Sequence, residues 1–207
     1  QGRRRQKIMP KETGFAEAIR LAVEQLRDVD LPARCANLGL PEPQQGVIKL
    51  RAFGEDMVLR ESDFQLFSAG SETPAKSADR ILLLHYLLCD LPLHITGELI
   101  SFRELTGGQF FWGPFRARSV QPLLRKIGGD LELLENNLNC FDWQPVSLGD
   151  LGARIHVFGK VYLTLVYRAG DEELSPAADL LFDACIKRVY EAEDATVLAS
   201  RICLNLI

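Results

Sequence analysis
Phe15, Ile19, Ala22, Val23 and Leu26 recur at helical spacing, with Glu17, Arg20, Glu24, Gln25 and Arg27 between them. That pattern predicts an amphipathic helix over about residues 14–29, stopped by Pro32. Residues 40–45 carry Pro41 and Pro43 and read as a connector. Two short β-rich runs, 47–53 and 56–60, flank Gly54-Glu55, which predicts a hairpin. Residues 68–78 are small, polar and Pro-containing, the composition of a loop. Residues 79–90 are apolar almost all round (Ile81, Leu82, Leu83, Leu84, Tyr86, Leu87, Leu88). A helix without a polar face is buried, so this one belongs at the centre of the core, with Ser77 as its expected cap.

A short strand is expected over 99–102, leading into Thr106-Gly107-Gly108. Helices follow over 120–127 and 131–138, separated by Gly128-Gly129 and capped by Asp130. Residues 153–158 and 161–167 read as strands, the second apolar on both faces and therefore central. Ser175-Pro176 carries a helix-start signal, and residues 193–205 give the last helix. Helices and strands intermingle without regular alternation. The fold class is α+β: a single domain, with a mixed or antiparallel sheet, a buried central helix and flanking N- and C-terminal helices. The expected division is an arm over 1–13 and one domain over 14–207.

Composition narrows the function classes. The chain has 207 residues, a hydrophobic share of 47% and a net charge of -4, values of an ordinary globular protein. The mild acidity argues against nucleic acid as a partner. The one basic cluster, Arg3-Arg4-Arg5 with Lys7, reads as a solvated arm, and Met9 is a candidate natural start that would leave residues 1–8 as a remnant. The longest apolar run is too short to span a bilayer, so no membrane is expected. Five scattered cysteines without a C-x-x-C fit reduced thiols in a cytoplasm.

Walker, G-x-G-x-x-G, H-E-x-x-H and G-x-S-x-G motifs are all absent. His85 and Cys89 share a helical face, with His94 beyond them, but three candidate ligands make a poor structural metal site and no metal is assigned. Two other groups carry the candidate chemistry. Glu98, Arg103, Arg116 and Arg118 surround Gly107-Gly108 and the aromatics Phe102, Phe110, Phe111, Trp112 and Phe115. Arginines can hold an anion, turn N–H groups can assist, and rings can stack on a flat ligand. The plainer alternative is core packing with local ion pairs. Late in the chain come Asp171, Glu172 and Glu173, then Asp179 and Asp183, then Glu191, Glu193 and Asp194. Asp183 lies between Phe182 and Ala184, and a carboxylate in such a segment needs a donor; an arginine of the central stretch is the expected one.

These stretches carry a resemblance. ILLLHYLL (81–88), TGELISFRELTGGQFFWGPF (96–115), GDEELSP (170–176), LLFD (180–183) and EDATVL (193–198) resemble, in order and spacing, the domain of unknown function 3786 family of bacteria and archaea, many of them anaerobes. The resemblance implies no activity and no cofactor. Some members resemble fusions to a cysteine-rich iron–sulfur module, whose cysteines this chain lacks. The family's motifs associate Glu98, Ser101, Arg103, Gly107 and Gly108 with Asp171, Glu172, Glu173 and Asp183.

Three functions are therefore weighed. One is a cytoplasmic protein binding a small anionic or aromatic ligand or cofactor between the Gly-Gly/aromatic segment and the late acidic turn, with Glu98, Ser101, Arg103, Gly107, Gly108, Phe110, Trp112, Asp171, Glu172 and Asp183 as its site. The second is a protein-interaction or accessory module of an anaerobic metalloenzyme system, with Phe110, Phe111 and Trp112 as exposed anchors. The third is a metal-dependent hydrolase or lyase using Asp171, Glu172 and Asp183. No catalytic residue is assigned. Exposure of the three rings separates the first reading from the second.

Overall fold
The computed structural model describes residues 11–207, with side chains from Gly14 onward; the basic cluster and Met9 lie outside the described residues. α1 (Lys11–Leu26) and α2 (Leu31–Leu38) lead into a three-stranded antiparallel sheet, β1 (Val47–Ala52), β2 (Glu55–Arg60) and β3 (Gln65–Ser68). Then come α3 (Ser77–Leu88), β4 (Leu99–Ser101), a 3-10 turn over Phe102–Glu104, α4 (Gly108–Arg118), α5 (Val120–Ile127) and α6 (Leu131–Leu138). β5 (Asp142–Pro145), β6 (Leu151–Phe158), β7 (Val161–Arg168) and β8 (Ala177–Asp183) follow, then a second 3-10 turn over Ala184–Arg188 and α7 (Ala192–Asn205). The second sheet is antiparallel throughout, in the order β4-β8-β7-β6-β5. The class is α+β, and β7 is the central strand that its apolar faces require.

Several elements depart from expectation for local reasons. Pro32 does not merely end the first helix. It sits in the first turn of α2, where its missing N–H costs nothing, and the Asp30 carboxylate accepts from Ala33 N at 3.1 Å. Ser77 is inside α3 rather than capping it; Lys76 is the cap residue and makes no side-chain bond. Ser175-Pro176 opens β8, not a helix, because register with β7 over six residue pairs claims the segment. β3, β5 and α4 form where the sequence pattern predicts no element. Asp130 does cap α6, accepting from Leu133 N at 2.9 Å.

α3 is buried as its all-round apolarity demands. Each fully buried Leu or Ile side chain there contributes roughly 1.5–3 kcal/mol. Tyr86 sits at the meeting point of distant segments. Its hydroxyl donates to Leu38 O and accepts from Lys160 N at 2.9 Å. Its ring meets Phe158 edge-on at 5.2 Å, and Phe158 meets Phe53 of the small sheet at 5.4 Å. The β1–β2 turn uses Phe53 and Gly54, both at positive φ (53° and 80°), as a tight hairpin needs. Phe53 N donates to Val157 O at 2.8 Å, joining the two sheets through main chain. No helix among the described residues is long and apolar enough to cross a membrane.

Candidate functional site
The central stretch divides into two halves with different fates. In the first half, the Ser101, Glu104 and Asp183 side chains are used by the fold. Glu104 accepts from Ser101 N at 2.7 Å and Ser101 Oγ at 2.9 Å, so both side chains are spent on shaping the 3-10 turn. These bonds hold the Glu104 carboxyl below its ordinary range. Glu98 is exposed, and its carbonyl accepts from Ala184 N at 2.8 Å. Gly107 has φ 79° and is the residue that caps the start of α4. A side chain on Gly108 would meet Phe102 O at 2.1 Å, so only glycine permits this approach.

Asp183 anchors this half. It is 5% exposed, yet no arginine meets it. Its donors are main chain and a hydroxyl: Thr96 N at 3.0 Å, Thr96 Oγ1 at 2.9 Å, Gly97 N at 2.8 Å and Cys185 N at 3.0 Å. The expected arginine is replaced because the Thr96-Gly97 turn, with Gly97 at φ 76°, already points its N–H groups inward. Burial pushes the Asp183 carboxyl up, but the donors overcome it and hold the group down at about 2. Both oxygens are occupied, which leaves little for a cation. Cys185 beside it is pushed up to about 12, chiefly by burial, and is a poor nucleophile.

The second half is α4, and it is left open. Phe115 is buried and stacks on Phe102 at 3.9 Å, and Trp112 lies 5.6 Å from Phe115 at a shallow angle. These rings root the helix in the core. Phe110 is 92% exposed and Phe111 43% exposed. Arg103 lies over the Trp112 ring at 4.4 Å and Arg116 at 5.8 Å, positions in which an arginine gains from the ring's negative face. Among the described residues, no carboxylate comes within ion-pair distance of Arg103, Arg116 or Arg118. Pro114, inside the helix, supplies no N–H for the Phe110 carbonyl.

Asp171 and Glu172 are elsewhere. Their turn joins β7 to β8 at the Ala177 end, whereas Asp183 and the Thr96-Gly97 turn are at the other end, about 20 Å along the strand. Asp171 accepts from Glu173 N and Leu174 N, each at 2.8 Å, and so closes its own turn. Of the late acids expected to meet the ring-rich middle, Asp183 bonds to Thr96 and Gly97 at its start, whereas Asp171 makes hydrogen bonds only within its own turn and Glu172 forms no ion pair among the described residues. Two cavities lie away from both segments. One, of about 400 Å³, lies between the α1–α2 junction and the β2–β3 turn, near Arg27, Asp30 and Glu61. Another, of about 430 Å³, lies over the small sheet near Arg60 and Phe67.

His85 is engaged as well. Its Nδ1 meets both Asp194 oxygens, at 2.9 and 3.0 Å, and the bond raises the imidazole above its ordinary value against the opposing effect of burial. Cys89 donates to Leu91 O at 3.6 Å. Among the described residues, no three His, Cys, Asp or Glu side chains are arranged to hold a metal ion.

What the residues alone did not reveal was α4. Trp112 and Phe115 stand three apart, the spacing of one helical face, but Gly113-Pro114 between them hides the signal. Neither the curated proteins nor the solved structures contain a match to the chain. A family model described as "Domain of unknown function (DUF3786)" matches residues 30–205, a span that includes the Asp183 anchor, α4 and the acidic turn. The chain therefore belongs to the domain of unknown function 3786 family.

Proposed function
We propose that this protein is an interaction module that docks onto another protein chain through α4. One observation carries the reading: Phe110 is 92% exposed, with Phe111 43% exposed beside it, on a helix that Trp112 and Phe115 root in the core. A protein that gained nothing from this ring would not be harmed by losing it, while an exposed aromatic beside arginines has the make-up of an interface hot spot. The ligand-pocket reading loses ground because, among the described residues, Asp171 makes hydrogen bonds only within its own turn and neither it nor Glu172 forms an ion pair with an arginine of the ring-rich segment. The metal-hydrolase reading loses ground because Asp183 and Asp171 are bound to main chain.

A photo-crosslinking phenylalanine analogue at position 110, in the full chain expressed in cells, tests the proposal. A discrete protein adduct is expected, weakened when Arg103 and Arg116 are replaced by Ala, and absent when the analogue is placed at exposed Gln121. Failure to form any protein adduct from position 110 would reject it.

A further inference from the structure
Resting on that docking reading, we propose that the α4 face receives a second copy of this chain through its acidic β7–β8 turn. The turn is built as a knob. Asp171 closes it from within, accepting from Glu173 N and Leu174 N, and Asp171 N donates to Leu174 O at 2.9 Å. A side chain on Gly170, at φ 76°, would lie 2.3 Å from Leu174 O, so the turn is tight as well as closed. What it displays is an apolar side chain beside carboxylates: Leu174 is 68% exposed, and Glu172 and Glu173 are exposed. Neither glutamate has a cation within ion-pair distance among the described residues.

The α4 face is the complement. Phe110 and Phe111 offer apolar surface to Leu174, and Arg103, Arg116 and Arg118 offer donors to the two glutamates. Within one chain the two surfaces do not pair: among the described residues, neither glutamate of the turn comes within ion-pair distance of Arg103, Arg116 or Arg118. Between chains they can, in a head-to-tail contact that joins unlike surfaces. A turn seated on one helix covers less than a standard interface, so the association is weak and falls with salt.

Sedimentation velocity of the purified full chain tests this, with a face variant (Phe110→Ser with Arg116→Ala) and a turn variant (Glu172→Gln, Glu173→Gln and Leu174→Ser). Gly170 and Asp171 are left intact so that the turn still forms. The wild-type chain is expected to associate with rising concentration, and each variant to weaken that association at least about tenfold. An equimolar mixture of the two variants, each carrying one intact surface, is expected to form dimers and nothing larger. Wild-type protein that stays monomeric, or association that survives in either variant, would overturn the proposal. With the crosslinking residue at position 110 of the purified chain, the adduct is expected to map to Asp171–Leu174 of a second copy. An adduct formed in cells with a different protein overturns this inference and leaves the docking reading standing; no protein adduct in either setting removes both.

Discussion
The Thr96-Gly97 turn, which grips Asp183, and the α4 face belong to one stretch of the chain, dense in charge and unusual residues. One is closed and the other is open. Around Asp183, each donor has an acceptor and the carboxylate is consumed by Thr96, Gly97 and Cys185. On α4, arginines stack on a ring without a carboxylate, and a phenylalanine stands in solvent. Buried charge must be satisfied internally or it costs several kcal/mol, so a satisfied carboxylate is evidence of architecture. Exposed apolar area carries no such obligation, and that makes it the better pointer to a partner.

The largest expected effects test the closed side. Gly108→Ala drives a Cβ to 2.1 Å from Phe102 O and should cost more than about 4 kcal/mol, seen as loss of the folded chain in thermal denaturation. Phe115→Ala should cost about 3–5 kcal/mol in denaturant unfolding, because the ring is buried against Phe102. Asp183→Ala leaves buried N–H groups of Thr96, Gly97 and Cys185 without their acceptor, a loss of about 3 kcal/mol. Its folded value of about 2 is below the ordinary one, so the stabilisation is present above about pH 4 and fades as pH falls toward 2. A wild-type acid-unfolding curve steeper than that of Asp183→Asn in this window checks it.

A smaller effect concerns His85. Its folded value is raised, so the Asp194 interaction contributes fully below about pH 6.5 and is lost as pH climbs through the folded value. Asp194→Asn should therefore cost on the order of 1 kcal/mol at pH 6 and less at pH 8, measured by urea unfolding at the two pH values. The smallest expected effect is the most telling. Phe110→Ala should change stability by less than about 0.5 kcal/mol, although Phe115 on the same helix matters greatly. A large cost at Phe110 would erase the distinction between the two regions.

The sequence made the helix of 131–138 legible down to its cap, because Asp130 and the glycines before it act locally. It made α3 and β7 legible as buried, because an element apolar on every face has one place to go. Segments decided by pairing at a distance were not legible. β8 carries a helix-start dipeptide, yet its register with β7 prevails. In the candidate site, Asp183's need for donors was readable from its apolar neighbours. Their identity was not, because Thr96 and Gly97 supply N–H groups that every residue type but proline carries. The split between Phe110 and Phe115 required knowing that the segment is helical, and Gly113-Pro114 concealed that.

The seam between the two sheets has a consequence of its own. Gly54 presses so close to Cys140 that a Cβ would lie 2.0 Å from its carbonyl oxygen, and Phe53 N bonds Val157 O alongside. A weld made of backbone is indifferent to what the outward side chains say. The small sheet can exchange its whole solvent coat and keep its seating, so long as one hydrogen atom stands where any larger group would pry the halves apart.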